Sequence, residues 1–143
     1  MRRKMATSVI PDELRDLFEE PTLAHVSYLN GKGQIMSWPM WVDYDGEHLL
    51  ISSPVGSQKG RSFRERPQVA ISIVSAKNPF HWLSVSGRVV GIRPDEDLAF
   101  IDRMSQKYVG TGYQRRSPRE IFTVAIDRVS PSTESSARWS RSS

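Results

Sequence analysis

Apolar residues in this chain recur mostly at every second position, and that period predicts short strands joined by tight turns. Val69, Ile71 and Ile73 alternate with small or polar neighbours across residues 68–75, the mark of a strand buried on one face. Residues 22–29 alternate in the same way. Residues 34–44 read as a single second strand carrying Trp38, Met40, Trp41 and Val42, and 47–53 as a third with Leu49, Leu50 and Ile51 at its centre. Residues 82–92 form a long strand interrupted by Gly87, where a bulge or a close backbone approach is expected, and 121–129 a last one. Asn30-Gly31-Lys32-Gly33, Asp45-Gly46 and Asn78-Pro79 supply the turns; Asp-Gly is a two-residue hairpin signal.

A 3.6-residue period replaces the alternation in three places. Residues 11–20 open on Pro11, Asp12 and Glu13, which suit a helix start, and place Leu14, Leu17 and Phe18 on one stripe before Pro21. Residues 58–66 form a short helix closed by Pro67. A third runs from 94 to 108 with Leu98, Ile101 and Met104 or Ser105 inward. Six mostly antiparallel, hairpin-linked strands with small helices over their ends indicate a mainly β (α+β) fold, a β-barrel with helical additions. With no βαβ alternation and no Gly-x-Gly-x-x-Gly, a Rossmann domain is not supported.

At 143 residues the chain suits one domain. The folded part is expected at 11–131, after a basic extension at 1–10; the Ser- and Arg-rich stretch 132–143 lacks apolar period and is expected to be a disordered tail. Hydrophobic residues make up 38% and no apolar run is long enough to span a bilayer. No signal-peptide pattern is present, so a cytoplasmic location and no membrane partner are expected. Cysteine is absent, which excludes disulfides and thiolate-bound metals. His25, His48 and His81 lack metal-pair spacing and read as strand residues, so no metal site is expected. The net charge of +4 is confined to the ends: residues 5–133 carry 15 bases and 15 acids. Nucleic acid is therefore not expected as a partner.

The chemically informative segment is Ser52-Ser-Pro-Val-Gly-Ser-Gln-Lys-Gly-Arg-Ser-Phe-Arg-Glu-Arg-Pro67. A strand ends, Gly56 allows a tight turn, and Ser57 can cap the following helix, whose free N–H groups favour an anion. Lys59 sits in the first turn, where a cation opposes the helix dipole unless an anion is present. Lys59, Arg61 and Arg64 form a basic cluster suited to a phosphate ester; the competing reading is a solvated surface helix.

Ser57-Gln58-Lys59, the helix, Arg66-Pro67 and Gln68-Val69-Ala70-Ile71, followed by Trp82-Leu83-Ser84-Val85-Ser86-Gly87-Arg88-Val89, resemble the pyridoxamine-phosphate-oxidase-like, FMN-binding split-barrel superfamily, over roughly residues 14–129. Within it the chain is most similar to the deazaflavin reductases that use coenzyme F420. The resemblance implies a six-stranded antiparallel split β-barrel acting as a homodimer, with cofactor sites at the subunit interface. It implies that Ser57, Gln58, Lys59 and Arg61 hold the cofactor phosphate, and that the stretch containing Ser37, Trp38, Pro39, Met40 and Trp41 lies along the tricyclic ring. Trp82 would come from the partner, and Arg115, Arg116 and Arg119 would meet an acidic cofactor tail or be solvated. The implied activity is hydride transfer from reduced F420 to a quinone, enone or biliverdin-like acceptor. An FMN-dependent oxidoreductase and a non-catalytic flavin or deazaflavin carrier are the alternatives. No histidine follows His81, which argues against pyridoxamine phosphate as substrate and against the haem-degrading relatives. No catalytic residue is assigned.

Overall fold

A computed structural model describes residues 9–132. Seven strands form one antiparallel sheet: β1 (Ala24–Leu29), β2 (Ile35–Met40), β3 (Val42–Tyr44), β4 (Leu49–Pro54), β5 (Gln68–Val74), β6 (Trp82–Pro94) and β7 (Arg119–Pro131). Their order is β2-β1-β5-β6-β7-β4-β3. The two edge strands are thus consecutive in sequence, with Trp41 between them. In a flat sheet those edges would lie about 29 Å apart, six spacings of about 4.8 Å. Neighbouring Cα atoms are only ~3.8 Å apart, so the sheet must curl until its edges meet. This closure corrects the expected strand count. The single strand at 34–44 is two strands, because the chain leaves the edge of β1 at Met40 and joins the edge of β4 at Val42.

The alternation in 68–75 is borne out: Val69, Ile71 and Ile73 are buried, and Gln68, Ala70, Ser72 and Val74 are exposed. Gly87 fulfils both expectations for it. The β6–β7 register shifts between Ser86 and Gly87, and a Cβ on Gly87 would lie 2.3 Å from the Ala125 carbonyl oxygen. At the Asp45-Gly46 hairpin Asp45 accepts from the N–H groups of Glu47 and His48.

The helices are more broken than their sequence pattern. A 3-10 turn, Asp12–Leu14, precedes α1 (Asp16–Glu19), and neither Pro11 nor Arg15 caps with its side chain. Leu14, Leu17 and Phe18 are nevertheless the buried residues. α2 (Gln58–Glu65) follows β4 directly. The third helix begins later than expected. β6 runs through Pro94, residues Glu96–Leu98 form a 3-10 turn with Asp97 and Leu98 at positive φ, and α3 spans Ala99–Val109. Buried Asp95 makes this start possible, accepting the N–H groups of Phe100 (2.8 Å) and Ile101 (2.9 Å).

β4 is buried on both faces, which explains its unbroken Leu49, Leu50 and Ile51 run. Leu49 and Ile51 face the barrel core with Phe63 and Phe122; Leu50 faces a second core with Phe100, Ile101, Met104 and Ile121 under α3. Two buried residues lie at the ends of the domain. Ile10 is fully buried in the main core, and Ser132 accepts from the Trp82 N–H at 3.0 Å. The remainder of the expected tail, 133–143, lies outside the described residues.

Candidate functional site

The end of β4, the turn after it and the first turn of α2 form a compact polar corner. Ser57 caps α2, its Oγ accepting from the Gly60 N–H at 3.0 Å and lying 2.7 Å from Ser53 Oγ. Gly56, at φ 82°, makes the turn, a left-handed conformation that a Cβ would strain. Its carbonyl accepts from the Arg61 guanidinium at 2.8 Å. Gln58 is exposed on the first turn. Gly60 lets the helix pack close, since a Cβ there would meet Ser57 Oγ at 3.1 Å and the Phe122 ring at 3.3 Å.

Lys59 is half-buried and has no carboxylate partner among the described residues. Its ammonium lies 4.5 Å from the centre of the Trp38 ring. The Trp38 indole N–H donates to the Tyr28 hydroxyl at 3.0 Å, and Tyr28 packs edge-on against Phe63. Burial pushes the Tyr28 phenol up, opposed by the Trp38 hydrogen bond. Trp38 is therefore a shelf for Lys59. Arg64, one turn on, is committed elsewhere, since it pairs with Glu120. The second carboxylate oxygen of Glu120 is buried without a partner.

On the other side of β4, Ser52 opens into a cavity of about 210 Å³. Pro39, Met40 and Trp41 form one wall, Met104 of α3 another, and Tyr113 and Arg119 close it. Trp41 stacks on Tyr108 at 5.0 Å and meets Tyr113 edge-on at 6.0 Å, so the residue that joins the two sheet edges also shapes the cavity. Asp102 sets the loop that carries Tyr113. It accepts the Tyr113 N–H at 2.9 Å and two bonds from Arg116, at 2.8 and 3.1 Å. The Arg116 bonds, then the Tyr113 N–H, hold the Asp102 carboxyl below its ordinary value.

The structure thus gathers Ser57, Gln58, Lys59, Arg61 and Trp38 at the corner and Pro39, Met40 and Trp41 at the cavity. Ser37 lies on edge strand β2, exposed and opposite Ser27. Trp82 is remote within the subunit. It pairs with Val74, at the end of β5 farthest from α2, some 20 Å along the strand. The three arginines separate: Arg116 pairs with Asp102, Arg119 enters the cavity and Arg115 is exposed. Sequence reasoning missed Tyr113, Met104 and the cavity-facing placement of Ser52 and Arg119. No local pattern signals them, because they meet only through α3 and the barrel wall.

An anion-ready helix start beside an aromatic-walled cavity on a split barrel agrees with the family comparison. The family model for pyridoxamine 5'-phosphate oxidase matches residues 10–132. The chain belongs to the pyridoxamine 5'-phosphate oxidase family. Among solved structures, an F420 reductase superposes with a TM-score of 0.76 at 29% identity, covering 85% of this chain and 98% of its own. HupZ of Group A Streptococcus (TM-score 0.57, 17% identity, 84% and 91% covered) and General Stress Protein 26 of Bacillus anthracis (0.62, 12%, 82% and 89%) share the fold. No curated protein matches the sequence. No helix among the described residues is long and apolar enough to cross a membrane.

The residues present fit the phosphate and flat ring of a flavin-type cofactor. Lys59 has no carboxylate partner among the described residues and stands at a capped helix start, and the cavity across β4 has aromatic and aliphatic walls.

Proposed function

We propose that this family member is an oxidoreductase that passes a hydride from reduced coenzyme F420 to an electron-poor organic acceptor such as a quinone, an enone or a biliverdin-like tetrapyrrole. The observation that carries this reading is the half-buried Lys59, without a carboxylate partner among the described residues, at the Ser57-capped helix start across β4 from the cavity walled by Pro39, Met40 and Trp41. Likeness to the F420 reductase supports the choice of cofactor. When bound, the cofactor supplies the hydride chemistry, and the chain's own residues bind, orient and exclude water. Ser57, Gln58, Lys59 and Arg61 hold the phosphate through the α2 N–H groups and charge-assisted bonds. The backbone from Ser37 to Trp41 lies along the ring.

FMN is the second reading, since the clamp treats both phosphates alike; a non-catalytic carrier on the same fold is the third. Titration of the purified protein with F420 and FMN, followed by turnover of reduced F420 with a quinone, enone and biliverdin panel, decides among them. Tighter FMN binding, or tight F420 binding with no turnover, overturns the primary reading.

The working unit in this reading is a cytoplasmic homodimer. The exposed face of β1, β5 and β6 carries Ser27, Ala70, Ser72, Ser84 and Ser86, small residues that allow flat sheet packing. Trp82, too distant from the corner of its own subunit, then reaches the site of the partner. The interface should bury on the order of 2,000 Å², and a monomer mass at micromolar concentration would refute the dimer.

A further inference from the structure

Arg119, the first residue of β7, places its guanidinium in the wall of the cavity beneath α3. Its Nε donates to Ser52 Oγ at 2.7 Å, and its Cζ lies 5.1 Å from the centre of the Tyr113 ring. Three other arginines show how this chain ordinarily treats a guanidinium: Arg64 bonds Glu120, Arg103 bonds Asp43 and Arg116 bonds Asp102. All three are exposed. Arg119 is half-buried, yet no carboxylate among the described residues lies within salt-bridge distance of it. Tyr113 and, after it, Asp95 are the acidic groups whose charge it feels; Tyr113 is a neutral phenol at ordinary pH, and both Asp95 oxygens are occupied by the Phe100 and Ile101 N–H groups.

Enclosing a cation among Met104, Trp41 and Phe100 without a counter-charge is costly, and an arriving anion offsets that cost. Burial lowers the guanidinium's proton affinity, Tyr113 and Asp95 oppose it, and neighbouring Arg115 adds a smaller push downward; an arginine stays charged nonetheless. Exposed Arg115 lines the adjoining groove with Trp41 and Tyr113, so two like charges stand at the approach and favour the entry of a negative ligand.

We propose that the cavity is an anion-selective site, in which Arg119, positioned by Ser52, binds a carboxylate or phenolate-type oxygen on the edge of a flat ligand. A cavity of roughly 150 Å³ holds benzene, so about 210 Å³ accommodates a somewhat larger ring. The proposal rests on the flavin-site reading for what the ligand is, but not for its charge. The anion is either the polar edge of the cofactor ring or a negative group on the acceptor.

The test uses the full chain and two probes of matched shape, 2-naphthoate and the neutral 2-naphthamide, titrated by calorimetry. Wild type should bind the carboxylate at least about tenfold more tightly, the effect of a charge-assisted bond. Arg119→Met should erase that preference while leaving naphthamide binding and the melting temperature unchanged or higher. Arg119→Lys should retain part of it. Equal binding of both probes, binding of neither at millimolar concentration, or a preference that survives Arg119→Met overturns the proposal. Competition between naphthoate and F420 or FMN would make the cofactor edge the source of the anion. Naphthoate binding to cofactor-loaded protein would make it the acceptor. Lys59→Ala should leave the naphthoate preference intact, so failure of the phosphate clamp and failure of the anion cavity are separately visible.

Discussion

Ser52 and Ser53 are neighbours on β4, yet they serve two regions built in different ways. Ser53 belongs to the polar corner, which is local: the strand end, the Gly56 turn, the Ser57 cap and Lys59 lie in one short segment. Ser52 belongs to the cavity, whose walls come from β2, the Trp41 link, α3, the Tyr113 loop and β7. Corner geometry follows from turn and cap chemistry that acts over a few residues. Cavity geometry follows from barrel closure and the docking of α3. Damage to the barrel should therefore cost the cavity more than the corner, and damage to the corner should leave the cavity untouched.

The largest effect on stability, and the one that reaches both regions, is expected from Gly87→Ala. Its Cβ would meet the Ala125 carbonyl oxygen at 2.3 Å, so β6 and β7 must move apart, at a cost of roughly 1–3 kcal/mol. Chemical denaturation measures this directly. Naphthoate binding should weaken more than phosphate-ester binding; equal loss of both would mean that the corner also depends on barrel closure.

Lys59→Ala comes next. Charge-assisted bonds to phosphate contribute about 1.5–3 kcal/mol, so F420 or FMN should bind about ten- to a hundredfold more weakly, with stability nearly unchanged because a cation in a helix's first turn is mildly unfavourable. The loss should shrink for a cofactor analogue lacking the phosphate. Arg64→Ala should matter less, since Arg64 is held by Glu120. Unchanged affinity in Lys59→Ala at low salt would place the anion site elsewhere.

Trp38→Leu removes the shelf and keeps the ammonium. A cation–π contact contributes about 0.5–1 kcal/mol, so phosphate-bearing cofactor should bind a few-fold more weakly, and in the Trp38→Leu background Lys59→Ala should cost its own effect less that amount. A Trp38→Leu loss as large as that of Lys59→Ala would mean that Trp38 touches the ligand itself.

Asp102→Asn should give the smallest change, and one that depends on pH. The Asp102 carboxyl is held below its ordinary value of 3.8 in the folded protein, so in acid the unfolded chain takes up the proton first. Its contribution is fully present well above pH 3.8, declines as the pH falls through that value and is lost below the folded-state value. The difference in melting temperature between wild type and Asp102→Asn should therefore be constant near neutrality and vanish in strong acid. A difference that persists in strong acid would show that the carboxylate charge is not what secures the Tyr113 loop.

The strands at 68–75 and 82–92, the Asp45-Gly46 hairpin, the Ser57 cap and the basic corner are legible in the sequence, because each depends on side-chain period, turn chemistry or capping between near neighbours. The sequence also carried the family resemblance, since the 57–71 stretch and the Trp82-to-Val89 strand are each contiguous. The closed barrel alone makes Trp41 divide one apparent strand into two, because residues 34–44 alternate smoothly whether or not the sheet curls. Only it turned Trp38 toward Lys59, committed Arg64 and Arg116 to carboxylates, and left Arg119 enclosed without one. Period and capping act within a few residues of chain, whereas the pairing of a buried charge depends on which distant strands and helices the closed barrel brings beside it.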